Sequence, residues 1–417
     1  MLDLLVIGAG LTGLSAALTA ARAGRQVRII AKGMGAIHWH AGTIDLLGYT
    51  TTTQSIEKPY AQMATLPQQH PYQRLGEKQI RAALASFGET VTSAGLAYAS
   101  PQAASENFLL PSPVGATRPT FLAPQAQLAG NLARPEPMVI VGFEGMRDFY
   151  PMLIAENLQK QGYTARAEML PLTIISPTGD NNNVHLAESL DLGARRHHLG
   201  AALKKLVKPG ERIGLPAILG LEQHTLTFSE LQTQSGAAIF EIPTLPPSVP
   251  GIRLYRALRN ELSKHKVRIE ANMEVSAFHA EAGTIAWVES ATSSRPLRHS
   301  AKNFLLASGG ILGGGFNSDH TGKVWDVVFN LPLTTPQDRR QWFQSRFLDE
   351  QGHAIFSGGV DVNQQWQPID GAGNVIYKNL WAAGGVLAHA DGIRERSLEG
   401  IAIATGSAAA TAIAAKG

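Results

Sequence analysis

Gly8-Ala9-Gly10-Leu11-Thr12-Gly13 is the stretch whose residue types and spacing most clearly specify chemistry. It has the form GxGxxG. In such a turn the first glycine permits the tight bend and the second lets a pyrophosphate approach the backbone. The third lets a helix pack close to a strand. The N–H groups that open the following helix, and the helix dipole, then face the phosphate. The pattern alone is weakly specific. Its place between a strand-like and a helical run is what marks a nucleotide-binding turn. One companion is missing. An acidic residue normally ends the second strand and holds the adenosine ribose, but here Ala31 is followed by Lys32. Three readings stay open. Lys32 meets a 2′-phosphate, as at an NADP site; the adenosine is held without a carboxylate; or the ligand is a mononucleotide. The ordinary alternative is a solvated cation at a strand end.

These residues need a scaffold. Leu4-Leu5-Val6-Ile7 is short, apolar and stopped by Gly8, as a buried parallel strand should be. Residues 11–23 are rich in Ala and Leu at helical spacing, with Gly24 as the C-terminal cap. Residues 26–31 read as the second strand of a βαβ unit. The texture then changes, with a helical stretch near 77–87. A strand at 138–142, a helix at 149–161 and a strand at 163–170 make 143–245 a second α/β segment. An amphipathic helix follows at 252–264. Strands at 267–269, 273–278, 283–289 and 297–306 suggest a β-meander running into Ala307-Ser308-Gly309-Gly310. Residues 316–370 have little regular pattern. A short strand at 379–382 and a small-residue helix at 398–414 close the chain.

A chain of 417 residues suits two domains. Its 17% charged and 44% hydrophobic residues allow a sizeable core and exclude disorder. The net charge is +3 with no Lys/Arg block longer than two residues, so no nucleic-acid partner is expected. Zero Cys excludes disulfides, thiolate zinc sites, cysteine-ligated iron–sulfur clusters and a Cys nucleophile, and no metal is expected. There is no run of 18 uninterrupted apolar residues, so a spanning helix is not indicated. The first cation is Arg22, which leaves no basic leader before the first apolar run and fits a cytoplasmic protein.

The C-terminal half resembles flavoproteins of the two-dinucleotide-binding-domain superfamily. Phe304-Leu305-Leu306-Ala307-Ser308-Gly309-Gly310 is similar to their strand and turn returning to the nucleotide. Asn379-Leu380-Trp381-Ala382-Ala383-Gly384-Gly385, with Gly400, Ile401 and the helix they open, resembles their last flavin element. There the helix dipole favours the charge that builds on a reduced flavin. An acidic residue common after the last strand is Gly384 or Gly385 here. A closer resemblance is to the B-type subunit of anaerobic glycerol-3-phosphate dehydrogenase. It is carried by Ala36-Ile37-His38-Trp39-His40-Ala41-Gly42-Thr43-Ile44-Asp45-Leu46-Leu47, by His70-Pro71-Tyr72-Gln73-Arg74-Leu75-Gly76 and by Thr117-Arg118-Pro119-Thr120-Phe121-Leu122. The most specific string is Thr244-Leu245-Pro246-Pro247-Ser248-Val249-Pro250-Gly251-Ile252-Arg253-Leu254.

The resemblance implies an α/β fold: a Rossmann-like FAD/FMN-binding domain over 1–48, 250–315 and 371–417. A large α/β substrate or cap region is then inserted over 49–249 and 316–370. It implies a non-covalent flavin, FAD or FMN, and oxidation of sn-glycerol 3-phosphate to dihydroxyacetone phosphate. Electrons would reach quinone through a larger flavoprotein subunit and an iron–sulfur anchor subunit, with this chain peripheral to the inner face of the cytoplasmic membrane. A non-catalytic relay or scaffold subunit, or a stand-alone flavin oxidoreductase for another substrate, are the alternatives. Alcohol oxidation needs a base, and His40, His389 and His320 are the candidates. A phosphate substrate needs cations, and Arg253, Arg118, Arg394 and Arg396 are the candidates. For Arg253 the plainer role is to brace the Pro-rich turn. Cofactor contacts are expected from Gly8 to Gly13, Lys32, Gly42, Thr43, Ala307, Ser308, Gly309, Gly384, Gly385, Gly400 and Ile401.

Overall fold

The computed structural model describes residues 1–50, 55–100, 106–293, 295–347 and 349–416. The chain forms two compact units, Met1–Ala36 with Asp45–Thr90 and Leu258–Gly417, and Ile37–Ile44 with Val91–Ala257.

In the first unit, β1 (Leu2–Ile7) leads into α1 (Leu11–Arg22) and β2 (Val27–Ile30). They are joined by β3 (Arg268–Glu270), β4 (Ala301–Leu306) and β5 (Leu380–Ala382). The sheet order is β3-β2-β1-β4-β5, with every pair parallel. Register then decides where function can sit. Ile7 pairs with both Ile30 and Leu306, and Leu306 pairs with Ala382. The turns that begin at Gly8, Ala307 and Ala383 therefore leave one edge of the sheet side by side. Strands Glu274–Glu281, Thr284–Ala291 and Leu297–His299 form a separate antiparallel meander.

The last helix, α2 (Leu398–Ala415), has a mean hydropathy of 1.4 and is long and apolar enough to cross a membrane. It is also 56% buried in the fold. Its small residues let it approach α1. A Cβ on Gly406 would stand 2.7 Å from the Thr12 carbonyl oxygen. The sequence run is interrupted by Thr and Ser, so the helix length shows only once the backbone is seen.

The second unit is built on four parallel strands in the spatial order Ile239–Ile242, Arg212–Pro216, Met138–Phe143 and Ala165–Leu170. Met138–Phe143 is buried at every position, as a strand covered on both faces should be. The strands at 212–216 and 239–242 were not expected individually.

The division of the chain differs from the expected one. Residues 49–90 and 316–370 lie with the first unit, because side chains from 70–74 bind 361–362 and 395–397 there. Residues 37–44 lie with the second unit, because the 244–251 turn holds them.

Candidate cofactor site

Three of the four glycines at the sheet edge are shaped by what packs against them. Gly8 has φ +119, and a Cβ there would stand 2.2 Å from the Ala307 oxygen. A Cβ on Gly13 would stand 1.9 Å from the Gly8 oxygen. Gly384 has φ +74 and lies against the Thr12 side chain, 2.0 Å from a built Cβ. Gly10 is different. Nothing lies within 4 Å of its Cβ position, and its φ of −75 suits any residue. The fold needs Gly8, Gly13 and Gly384, whereas the space beside Gly10 is kept for something other than the described residues. Ala9, Leu11 and Thr12 are buried around it.

The turn after β4 adds a second sign. Ser308 Oγ is buried and has no hydrogen-bond partner among the described residues. A buried hydroxyl without a partner is costly, so a ligand atom there satisfies a real deficit. Gly309 and Gly385 approach each other, with the Gly309 oxygen 3.1 Å from a Cβ built on Gly385. Together with Ile401, Leu398 and Ile393 they line a cleft at the start of α2. An open Gly10 and an unsatisfied Ser308 fit a nucleotide cofactor laid along this edge.

Two cofactor candidates have other work. Gly400 donates its N–H to the Asp45 oxygen, and a Cβ there would stand 2.2 Å from Tyr72 Oη. It is a packing glycine. Lys32 pairs with exposed Glu274 at 2.8 Å, which matches the strand-end cation reading.

The approach to α2 is held by a buried polar network that the sequence did not signal. His70 is fully buried, and its Nε2 lies 3.1 Å from Glu395 Oε2. Ser397 Oγ donates to the same oxygen at 2.8 Å. Burial pushes the Glu395 carboxyl up, but His70 and Ser397 hold it below its ordinary value. Tyr72 donates to the Leu46 carbonyl at 2.7 Å, and Arg396 pairs with buried Asp45 at 2.8 Å. These partners are hundreds of residues apart, so spacing could not reveal them. The string His70 to Gly76 is distinctive in its residues, but no local pattern in it states a role.

Of the three histidines, His389 sits beside the cleft, between lining residues Leu387 and Ala390. It has φ +72, and its Nε2 lies 3.6 Å from Asp361 Oδ1. His320 is exposed in the turn between Phe316–Ser318 and Val324–Asp326 and lines no part of the cleft. His40 belongs to the second unit, where its Nδ1 accepts the Gly42 N–H at 2.8 Å.

That His40 loop is fixed by the TLPPSVPG turn. Ser248 donates its N–H to the His38 oxygen at 2.8 Å and its hydroxyl to the His40 oxygen at 2.7 Å. Gly42, with φ +79, and Gly251 pack where a Cβ would meet Pro250 and the Ile37 carbonyl. Arg118 reaches Thr43 Oγ1 at 2.6 Å and Gln127 Oε1 at 3.2 Å. The two most distinctive strings of the sequence are thus partners.

The arginines are mostly engaged. Arg253 is buried and grips Glu241 with both ends of its fork, at 2.8 and 2.9 Å, while Nε donates to the Gly220 oxygen at 2.7 Å. A fork closed on a carboxylate is not open to a phosphate, so Arg253 braces the turn. Arg118 and Arg396 are held by Thr43 and Asp45. Arg394 lies half-buried next to Ile393 of the cleft.

Comparison with known proteins places this geometry. The family model described as "FAD binding domain" matches residues 3–401. A Halobacterium salinarum protein, named as the probable B-type subunit of an anaerobic glycerol-3-phosphate dehydrogenase, is 30% identical, over 99% of this chain and 97% of that one. The Vibrio vulnificus protein of the same name is 28% identical over 98% of this chain and 95% of its own. Among solved structures, a 3-ketosteroid delta1-dehydrogenase from Sterolibacterium denitrificans aligns over 100% of both chains, with 11% identity and a TM-score of 0.46. A flavocytochrome c3 fumarate reductase aligns over 99% of this chain and 78% of its own, with 11% identity and a TM-score of 0.44.

Proposed function

The chain belongs to the FAD-binding-domain family and, within it, to the family of B-type subunits of anaerobic glycerol-3-phosphate dehydrogenase; from that premise we propose that it oxidises sn-glycerol 3-phosphate to dihydroxyacetone phosphate. It is a flavin oxidoreductase and its cofactor is FAD. When bound, the flavin is the hydride acceptor. Gly10 and Ser308 hold the cofactor, with the start of α2 beside it. His389 takes the proton of the substrate hydroxyl on the ring nitrogen that does not face Asp361. Arg394 anchors the phosphate. The observation that carries the reading is a histidine with a carboxylate behind it, at the rim of a cleft built from the glycine turns.

Electrons then pass to a larger flavoprotein subunit, to an iron–sulfur anchor subunit and on to quinone. The chain has no Cys, so cysteine-ligated clusters would have to reside on partners. This places the protein at the cytoplasmic face of the membrane through those partners.

One observation favours a second reading. Three of the four candidate arginines face protein groups, as a subunit that only relays electrons would allow. The test is anaerobic addition of sn-glycerol 3-phosphate to the FAD-loaded chain, alone and in its assembled complex. Bleaching of the flavin band in the chain alone supports dehydrogenation here. Bleaching by dithionite but never by substrate removes it and leaves the relay.

A further inference from the structure

His389 has a non-glycine backbone in the left-handed region, where most side chains are strained. Strain of this kind persists only when the surroundings impose it. Here the surroundings are explicit. The Ala388 N–H donates to the Val360 oxygen at 3.1 Å, and the His389 N–H donates to the Ser357 oxygen at 2.9 Å. The backbone of 386–389 is thus stitched to 357–360, and this puts the ring of His389 opposite Asp361.

Asp361 is itself held. Its Oδ1 accepts from Arg74 Nη2 at 3.0 Å and from the Val362 N–H at 2.9 Å. Arg74 is locked in turn, with Nη1 on the Val362 oxygen at 2.6 Å and Nε on the Gln69 oxygen at 3.2 Å. The Arg74 side chain is 15% exposed, so these bonds work largely away from bulk water. At 3.6 Å the His389–Asp361 distance is just too long for a hydrogen bond. Catalytic hydrogen bonds are often this long before substrate arrives and tighten in the complex. His389 Nε2 is buried and otherwise unpartnered among the described residues, so Asp361 is the acceptor its N–H faces.

We propose that Asp361, held by Arg74, is the positioning carboxylate of His389: it fixes the ring with its proton on Nε2 and leaves Nδ1 to take the substrate proton. This rests on the proposed dehydrogenase reading for the role of His389. The groups facing the ring are Asp361 and, behind it, Arg74. The string His70 to Gly76 then has a purpose, because the helix Pro71–Leu75 carries the arginine that orders this pair.

Two measurements test it. The first does not need turnover. Nitrogen-resolved NMR of the histidines in the full FAD-loaded chain, with His389→Gln identifying the signal, reads the tautomer. The Nε2–H form is expected in the wild type, and a mixed or Nδ1–H form in Asp361→Ala and Arg74→Met. The Nε2–H form unchanged in both variants overturns the proposal. The second is a cycle on flavin reduction by sn-glycerol 3-phosphate. Asp361→Ala should lower the limiting rate about 10- to 100-fold with little change in substrate affinity, and Asp361→Glu should recover part of it. In a His389→Ala background Asp361→Ala should cost nothing further. Independent, multiplicative losses would show that Asp361 does not act through His389. If the wild type is not reduced at all, the dehydrogenase reading fails, while the tautomer measurement still decides the pair.

Discussion

Gly10 and Arg253 carry the sharpest contrasts between two uses of a residue. The Cβ position of Gly10 is open and its φ suits any side chain, whereas Gly8 and Gly13 are closed by backbone. Gly10→Glu should therefore fold with a near wild-type melting temperature and lose its flavin, since the new carboxylate occupies and repels the phosphate position. Gly13→Ala should lose stability by several kcal/mol as helix and strand are forced apart. Cofactor extraction and melting curves on both separate the two cases, and full flavin content in a folded Gly10→Glu would remove the site. Arg253→Lys keeps the charge and loses the fork on Glu241. An expected loss of about 1–3 kcal/mol in stability follows, with the substrate titration midpoint unchanged. A shifted midpoint with an unchanged melting temperature would return Arg253 to the substrate. The glycine pattern was legible because its spacing is local. The roles of the arginines were not, because Arg253 and Glu241 share a bond across two different elements.

Among the elements, the helix that opens at Leu398 owes its position to the segment just before it. His70, Ser397 and the Asp391 N–H all reach the Glu395 carboxylate. Glu395→Gln should leave the sheet folded but loosen 391–397. Hydrogen exchange there should quicken about 10-fold or more, because a buried charge-assisted bond of about 1.5–3 kcal/mol is lost. Unchanged protection would show that the network is incidental. The parallel strands and β-meander of the first unit were readable from apolar runs ended by glycine. Arg212–Pro216 and Ile239–Ile242 were harder. Each is short, and Arg212 and Glu241 are buried charges inside them, which break the apolar signal of a central strand. The Asp191–His198 charge cluster resembled a helix or loop face, and Gly193–Leu206 is the helix. What the TLPPSVPG string does was not readable at all, since its partner lies some 200 residues earlier in the chain.

For the molecule as a whole, pH and membrane behaviour both follow from what is buried. Burial and the nearby Arg253 push His224 down to about 4, against an ordinary 6.5 when unfolded. The unfolded chain then binds the extra proton first, so stability is complete above about 6.5 and is lost as pH falls toward 4. The loss between about pH 6.5 and 5 should be about 2 kcal/mol, read from denaturation midpoints, and His224→Gln should flatten it. Membrane behaviour turns on α2, which by length and composition passes for a spanning helix. If it is the core helix the structure describes, inserting it in a bilayer would strip α1 of its partner, and the chain reaches membranes only through other subunits. Thr411 sits on the exposed face of α2. Thr411→Lys should then change stability by less than about 0.5 kcal/mol, whereas a lysine inside a bilayer costs about 2.5–3.5 kcal/mol at its centre. The full chain expressed without partners should leave membranes in alkaline carbonate, and Thr411→Lys should accumulate and melt like the parent. A parent that resists carbonate, together with a variant that fails to accumulate, would make α2 a membrane anchor.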